Sequence, residues 1–107
     1  SAASDVYKRQ IMLNNAHNAI AWAKISQGGI SSTLVDTRIV AKYAIDSLAS
    51  GVIFVHNHPS GSKKPSLHDN NITKKIKDAL KLFDIQLIDS IIITENDYYS
   101  FQDEGML

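Results

Sequence analysis

Short apolar blocks alternate with polar and turn-forming stretches along the chain, and the spacing within each block names its element. Ile11, Met12 and Leu13 form a brief apolar run that reads as the tail of a buried strand. Asn14, Asn15, Ala16, His17 and Asn18 carry turn chemistry. Residues 19–26 alternate, with Ile20 and Trp22 on one face and Ala23 and Ile25 on the other, which predicts a second strand paired with the first as a hairpin. Gln27, Gly28 and Gly29 break it, and residues 30–35 form an irregular link. Asp36 is placed to cap a helix over 37–49, with Val40, Ala44 and Leu48 on one stripe and Ala41 and Ile45 beside it. Ser50 and Gly51 stop that helix. Val52, Ile53, Phe54 and Val55 then run without a polar break, which predicts a strand buried on both faces in the middle of a helix-covered sheet.

A second helix is predicted from Ser66 to Phe83, with Ile72, Ile76, Ala79, Leu80 and Phe83 as its apolar stripe. Residues 85–94 read as a long strand, Glu95, Asn96 and Asp97 as a tight turn, and 98–101 as a return strand. Helices set between strands give an α/β (α+β) class, with helices packed on a mixed β-sheet.

Composition narrows the chemistry. The chain has 107 residues, one domain's worth, and a formal net charge of +0, so it is not a polyanion binder as a whole. It has no cysteine, which excludes disulfides and thiolate metal sites and leaves His and carboxylate to hold any metal. That absence fits a reducing, cytoplasmic setting. No apolar run approaches the length of a membrane span, and the amino terminus lacks a signal-peptide core, so no membrane association is expected. Residues 1–10, SAASDVYKRQ, resemble a translated sequencing-library adapter. They are therefore expected to lie outside the fold, with the domain over 11–107, its first strand truncated and native sequence missing upstream.

The candidate site lies where the central strand ends. His56 and His58 are two apart, so on a strand both project to one face where a buried strand opens to solvent. Paired imidazoles in that setting are typical zinc or iron ligands; a satisfied polar edge of the core is the plainer alternative. Asp69 lies three residues after Ser66, which completes a capping box at the start of the second helix. A carboxylate there is rigidly held, and the short loop from His58 to Ser66 can bring it to the histidines. Two His and one Asp leave a fourth tetrahedral position for water, the pattern of a catalytic zinc site.

His56-x-His58-Pro59-x-Gly61 followed by Pro65-Ser66-x-x-Asp69 resembles the signature of the JAMM/MPN metallopeptidases. Gln27-Gly28-Gly29-Ile30-Ser31, Val55 to Gly61, Tyr98-Tyr99-Ser100-Phe101 and Glu104-Gly105 are similar to the bacterial RadC-like branch, historically called DNA repair proteins. The resemblance covers residues 11–107. It implies the layered MPN fold, which is also cytidine-deaminase-like, and a Zn2+ held by His56, His58 and Asp69. It further implies hydrolysis of an amide or isopeptide bond in a protein or peptide substrate, with the Ser66 hydroxyl stabilising the oxyanion. The family also uses an upstream glutamate as general base, expected near Val6 or Tyr7; no glutamate stands there, and Asp5 is not taken to replace it.

Other features have plainer readings. His68 and His17 read as exposed, and Trp22, Tyr98 and Tyr99 as packing residues. Asp89 is read either as a partner for a histidine ligand or as a solvent-facing strand carboxylate. Lys63, Lys64, Lys74, Lys75, Lys77 and Lys81 make a locally basic region, offset by Asp69 and Asp78. That region supports an alternative, a DNA-associated accessory module without peptidase activity. A zinc nucleobase deaminase is excluded, because that chemistry needs a glutamate where His58 stands and a Cys-x-x-Cys. Oligomeric state is not legible.

Overall fold

Residues 51–57 form the strand on which the site is built, and the elements around it explain how. The computed structural model describes residues 6–27 and 35–107. In chain order they form β1 (Tyr7–Leu13), β2 (Ala19–Gln27), α1 (Thr37–Asp46), β3 (Gly51–Asn57), α2 (Leu67–Lys81), β4 (Gln86–Ile93) and β5 (Tyr98–Ser100). The sheet order is β2-β1-β3-β4-β5. β3 and β4 are parallel, joined by α2 as a crossover, and the other neighbours are antiparallel. The class is the expected α+β, two helices on a five-stranded mixed sheet. No helix among the described residues is long and apolar enough to cross a membrane.

Both helices share one core. Val40 and Ala44 of α1 and Ile76 and Leu80 of α2 pack with Met12, Val52, Phe54 and Leu87 of the sheet. Asp36 caps α1 as expected, accepting a hydrogen bond from the Arg38 N–H at 2.9 Å. Gly51 starts β3 because a Cβ there would meet Ile88 Cγ1 at 2.8 Å.

Four expectations are corrected. First, β3 is not buried on both faces: Val52 and Phe54 are buried, whereas Ile53 and Val55 are only half-buried, as are Ile11, Ile91 and Ile93 beside them. β-branched apolar residues are favoured on a pleated surface whether or not a second layer covers it, so the run does not reveal which face is covered. Second, residues 7–10 are not outside the fold. They form the first four positions of β1, with Lys8 and Gln10 buried. Strand pairing is made by the main chain, so a polar string fills a central strand when its neighbours hold it. Gln10 is tolerated in the core because its amide donates to the Val40 carbonyl of α1 at 3.1 Å. Third, Leu48 leaves the α1 stripe. The helix ends at Asp46, Leu48 has φ 52°, and its side chain is 87% exposed. A left-handed residue turns the chain from helix into strand, a task usually given to glycine. Fourth, Phe83 lies beyond α2, which ends at Lys81, and is 52% exposed ahead of Asp84 at φ 58°. The break expected at Gly28 and Gly29 lies outside the described residues.

Candidate metal centre

His56 and His58 come from the carboxyl end of β3. His56 is inside the strand, on the helix-covered face, opposite Lys8 in the β1 ladder. The His58 N–H donates to the Ile93 carbonyl at 2.9 Å, which carries the strand's pairing one residue past its end. The imidazoles therefore fall side by side, centroids 5.2 Å apart and edge to face. The chain then turns through Pro59 and Ser60 to Gly61, whose φ of 89° suits glycine alone among common residues. That turn sets the Ser62 carbonyl 2.8 Å from His58 Nδ1. A carbonyl only accepts, so Nδ1 carries a proton and Nε2 is the nitrogen turned to the site.

Asp69 comes from the first turn of α2. Ser66 caps the helix: its hydroxyl accepts from the Asp69 N–H at 3.0 Å, and its own N–H donates to Asp69 Oδ2 at 2.8 Å. The expected capping box is thus present, and it aims the carboxylate at the strand end. Oδ1 lies 3.0 Å from His56 Nε2 and Oδ2 lies 3.1 Å from His58 Nε2. One ligand atom from each of the three residues lies within 4.8 Å of the others. Two ligands bonded to one tetrahedral ion at about 2.1 Å are about 3.4 Å apart, so the donor set suits a small divalent ion with little rearrangement. Among the described residues this is the one group of three or more potential ligand side chains placed to hold a metal.

The electrostatics favour an anionic carboxylate. Burial works against the Asp69 charge, but hydrogen bonds from His56 and the Ser66 main chain, with the His56 charge, outweigh it. Its carboxyl is held well below the usual carboxylate range. His56 Nδ1 is buried and has no hydrogen-bond partner, so this ligand is held by packing against Phe54 rather than by a second polar group.

The expected ligands are brought together; one further residue was not foreseen. Lys8 lies opposite His56 on the same face of the sheet and is 5% exposed. Burial lowers its pKa, and the Asp69 charge raises it in part. Its place inside a ten-residue string that resembles an adapter hid it; its parity with Gln10 and Met12, on the covered face, was the available signal. A lysine ammonium here opposes a second cation. Lys8→Met, which keeps the volume and removes the charge, is expected to tighten divalent-metal binding about tenfold or more. A competition titration against a chromophoric chelator measures it, and equal affinity in the two chains would remove Lys8 from the site. Ser66→Ala is expected to cost about 1 kcal/mol in urea unfolding and to weaken metal binding about tenfold, because Asp69 loses its brace.

The remaining candidates resolve simply. Asp89 braces the carboxyl-terminal turn instead of a histidine, accepting from the Ser100 hydroxyl and from the Gln102 N–H at 3.0 Å. His17 and His68 are exposed. Tyr99 packs edge to face on Phe101, whereas Trp22 and Tyr98 are exposed. In the basic region, Lys63 pairs with Asp97 and Lys74 with Asp78, which divides its charge.

Comparison with known proteins points the same way. A family model described as RadC-like JAB domain matches residues 7–106. A UPF0758 protein of Flavobacterium johnsoniae is 49% identical over 96 residues, 90% of this chain and 42% of that protein. A UPF0758 protein of Porphyromonas gingivalis is 39% identical over 98 residues, 91% of this chain and 43% of that protein. One of Vibrio cholerae is 38% identical over 97 residues, 91% of this chain and 61% of that protein. The chain thus spans less than two thirds of the length of these relatives.

Proposed function

The chain belongs to the RadC-like JAB domain family, and on that footing we propose that it is the hydrolytic domain of a zinc-dependent metallopeptidase, acting on an amide or isopeptide bond. The observation that carries the reading is the Asp69 carboxylate set between His56 Nε2 and His58 Nε2 at 3.0 and 3.1 Å. A nitrogen-and-oxygen donor set of three, without thiolate, is that of catalytic rather than structural zinc sites. When bound there, zinc supplies Lewis acidity and lowers the pKa of water to about 7.

The chain's own residues do the rest. His58, fixed by the Ser62 carbonyl, and Asp69, fixed by its helix cap, hold their ligand atoms in place. Ser66 accepts one hydrogen bond, and a hydroxyl that accepts still has a hydrogen to donate. Capping and oxyanion stabilisation are therefore compatible roles for it.

We place the general base at residue 6. β1 and β3 are antiparallel with Lys8 opposite His56, and extending that register by one alternate step, beyond the end of the ladder, matches residue 6 with residue 58. Tyr7 is excluded, since its ring stacks with Arg9, whose guanidinium is 4.6 Å away and also lies over Trp22. That pair occupies the opposite face of the sheet. Val6 stands at the position, and its side chain cannot accept a proton, so on this reading the chain holds metal without an efficient base. The test is metal analysis followed by exposure of zinc-loaded chain, with Val6 or with Val6→Glu, to a peptide and isopeptide library. About one zinc per chain and cleavage by the glutamate chain are expected; a fully loaded glutamate chain that cuts nothing would overturn the hydrolytic reading.

A further inference from the structure

Asn57 lies between the two histidines, with its side chain on the other face of β3, and neither metal binding nor hydrolysis uses it. It is a buried polar residue, 9% exposed, at the point where a strand gives way to a loop. The β1–β3 ladder ends with Lys8 opposite His56. One residue further on, the Tyr7 N–H donates to the Asn57 side-chain Oδ1 at 2.7 Å. The side chain thus takes the place of a main-chain acceptor and lengthens the ladder by one step.

We infer that Asn57 is a positioning residue, whose amide fixes the start of β1 so that residue 6 faces His58 and the metal ligands. The donor is a main-chain N–H, so the anchor acts whatever side chain stands at position 7. With the peptide at residue 7 held, residue 6 has lost most of its freedom to swing into solvent, and a base placed there is oriented before substrate arrives. Asn57 is suited to this because its carbonyl end accepts while the residue itself stays neutral beside two cation-binding histidines. The catalytic consequence rests on the hydrolytic reading proposed for this site; the anchoring does not.

Amide hydrogen exchange by NMR on the otherwise unchanged chain decides the anchoring. Asn57→Leu keeps the volume and removes the acceptor, and Asn57→Asp keeps the acceptor. The Tyr7 amide is expected to exchange at least tenfold faster in the leucine chain, with the Ile11 and Val55 amides unchanged, and to return within about threefold in the aspartate chain. Asn57→Ala gives the same comparison if the leucine chain does not fold. Unchanged exchange at Tyr7, or an equal rise at Tyr7, Ile11 and Val55, would overturn the inference, the second making Asn57 an ordinary fold residue. In zinc-loaded Val6→Glu protein, Asn57→Leu is expected to reduce turnover at least tenfold at unchanged zinc content, and Asn57→Asp to restore it. Turnover indifferent to Asn57→Leu would equally overturn the role. A Val6→Glu chain with no turnover at all counts against the hydrolytic reading, and the exchange rates by themselves then decide whether Asn57 anchors β1.

Discussion

Zinc is expected to raise the melting temperature of this chain by about 15 °C or more, and Asp69→Ala is expected to abolish the rise. A ligand that binds only the folded state stabilises it by about 4 kcal/mol at a thousand times its dissociation constant. For a domain of this size each kcal/mol moves the midpoint by about 4 °C or more. Asp69→Ala removes the ligand that faces both histidines, at 3.0 and 3.1 Å. It also breaks the capping box, so the metal-free protein loses about 1 kcal/mol as well. Asp69→Asn separates the two effects: its side-chain oxygen still accepts from Ser66, but the anion is gone. That chain is expected to keep most of its metal-free stability while losing most of the zinc shift. His56→Ala serves as the independent ligand deletion. Calorimetry with elemental analysis makes the comparison, and full zinc content in the Asp69→Ala chain would sink the assignment.

The carboxylate also fixes the sign of the acid response. Its folded-state pKa is depressed, so its contribution is complete above the ordinary carboxylate range and is lost as pH falls through the lower folded value. The stability gap between the native chain and Asp69→Asn, measured without metal, is therefore expected to narrow as pH falls below about 5. It should close only in stronger acid.

The second large effect is a gain. Val6→Glu is expected to raise amide hydrolysis by zinc-loaded protein by about a hundredfold or more, the usual worth of a positioned general base. Position 6 is chosen by extending the register of Lys8 with His56 by one alternate step, and by the turning of Tyr7 to the opposite face. A carboxylate there can take a proton from the attacking water and return it to the leaving amine. The rate should rise with pH through the glutamate's own titration, a limb absent from the Val6 chain. Val6→Gln, of similar shape and without basicity, should show no gain. Equal rates for the glutamate and glutamine chains would mean that position 6 does not supply a base.

Much of this was legible where local rules and tertiary structure agree. Asp36 and Ser66 were readable as caps because a cap is settled by a few adjacent residues, and His56 with His58 because strand parity is a local property. Asp69 needed more, since only the loop length suggested that its helix start returns to the strand end. What was not legible depends on neighbours remote in sequence. Lys8 and Gln10 look like surface residues until β2 and β3 close on either side of their strand. Leu48 looks like a stripe residue until the helix must stop early to deliver β3. The half-covered state of Ile53 and Val55 depends on where both helices settle, which their own periodicity does not encode. Asn57 gave one usable hint: a polar residue of the wrong parity for the metal face, at the last position of the strand that carries His56.

The capping box at Ser66 and the Ser62 carbonyl behind His58 have a consequence for how the protein is managed. Two of the three ligands are oriented by groups that are not themselves ligands. The order in the site is thus established as the polypeptide folds, unlike a zinc finger, in which the ion itself drives folding. Loading and stripping of the ion are then reversible operations on a finished scaffold. On the metal-binding reading proposed above, the site fills and empties with local metal supply while the fold persists.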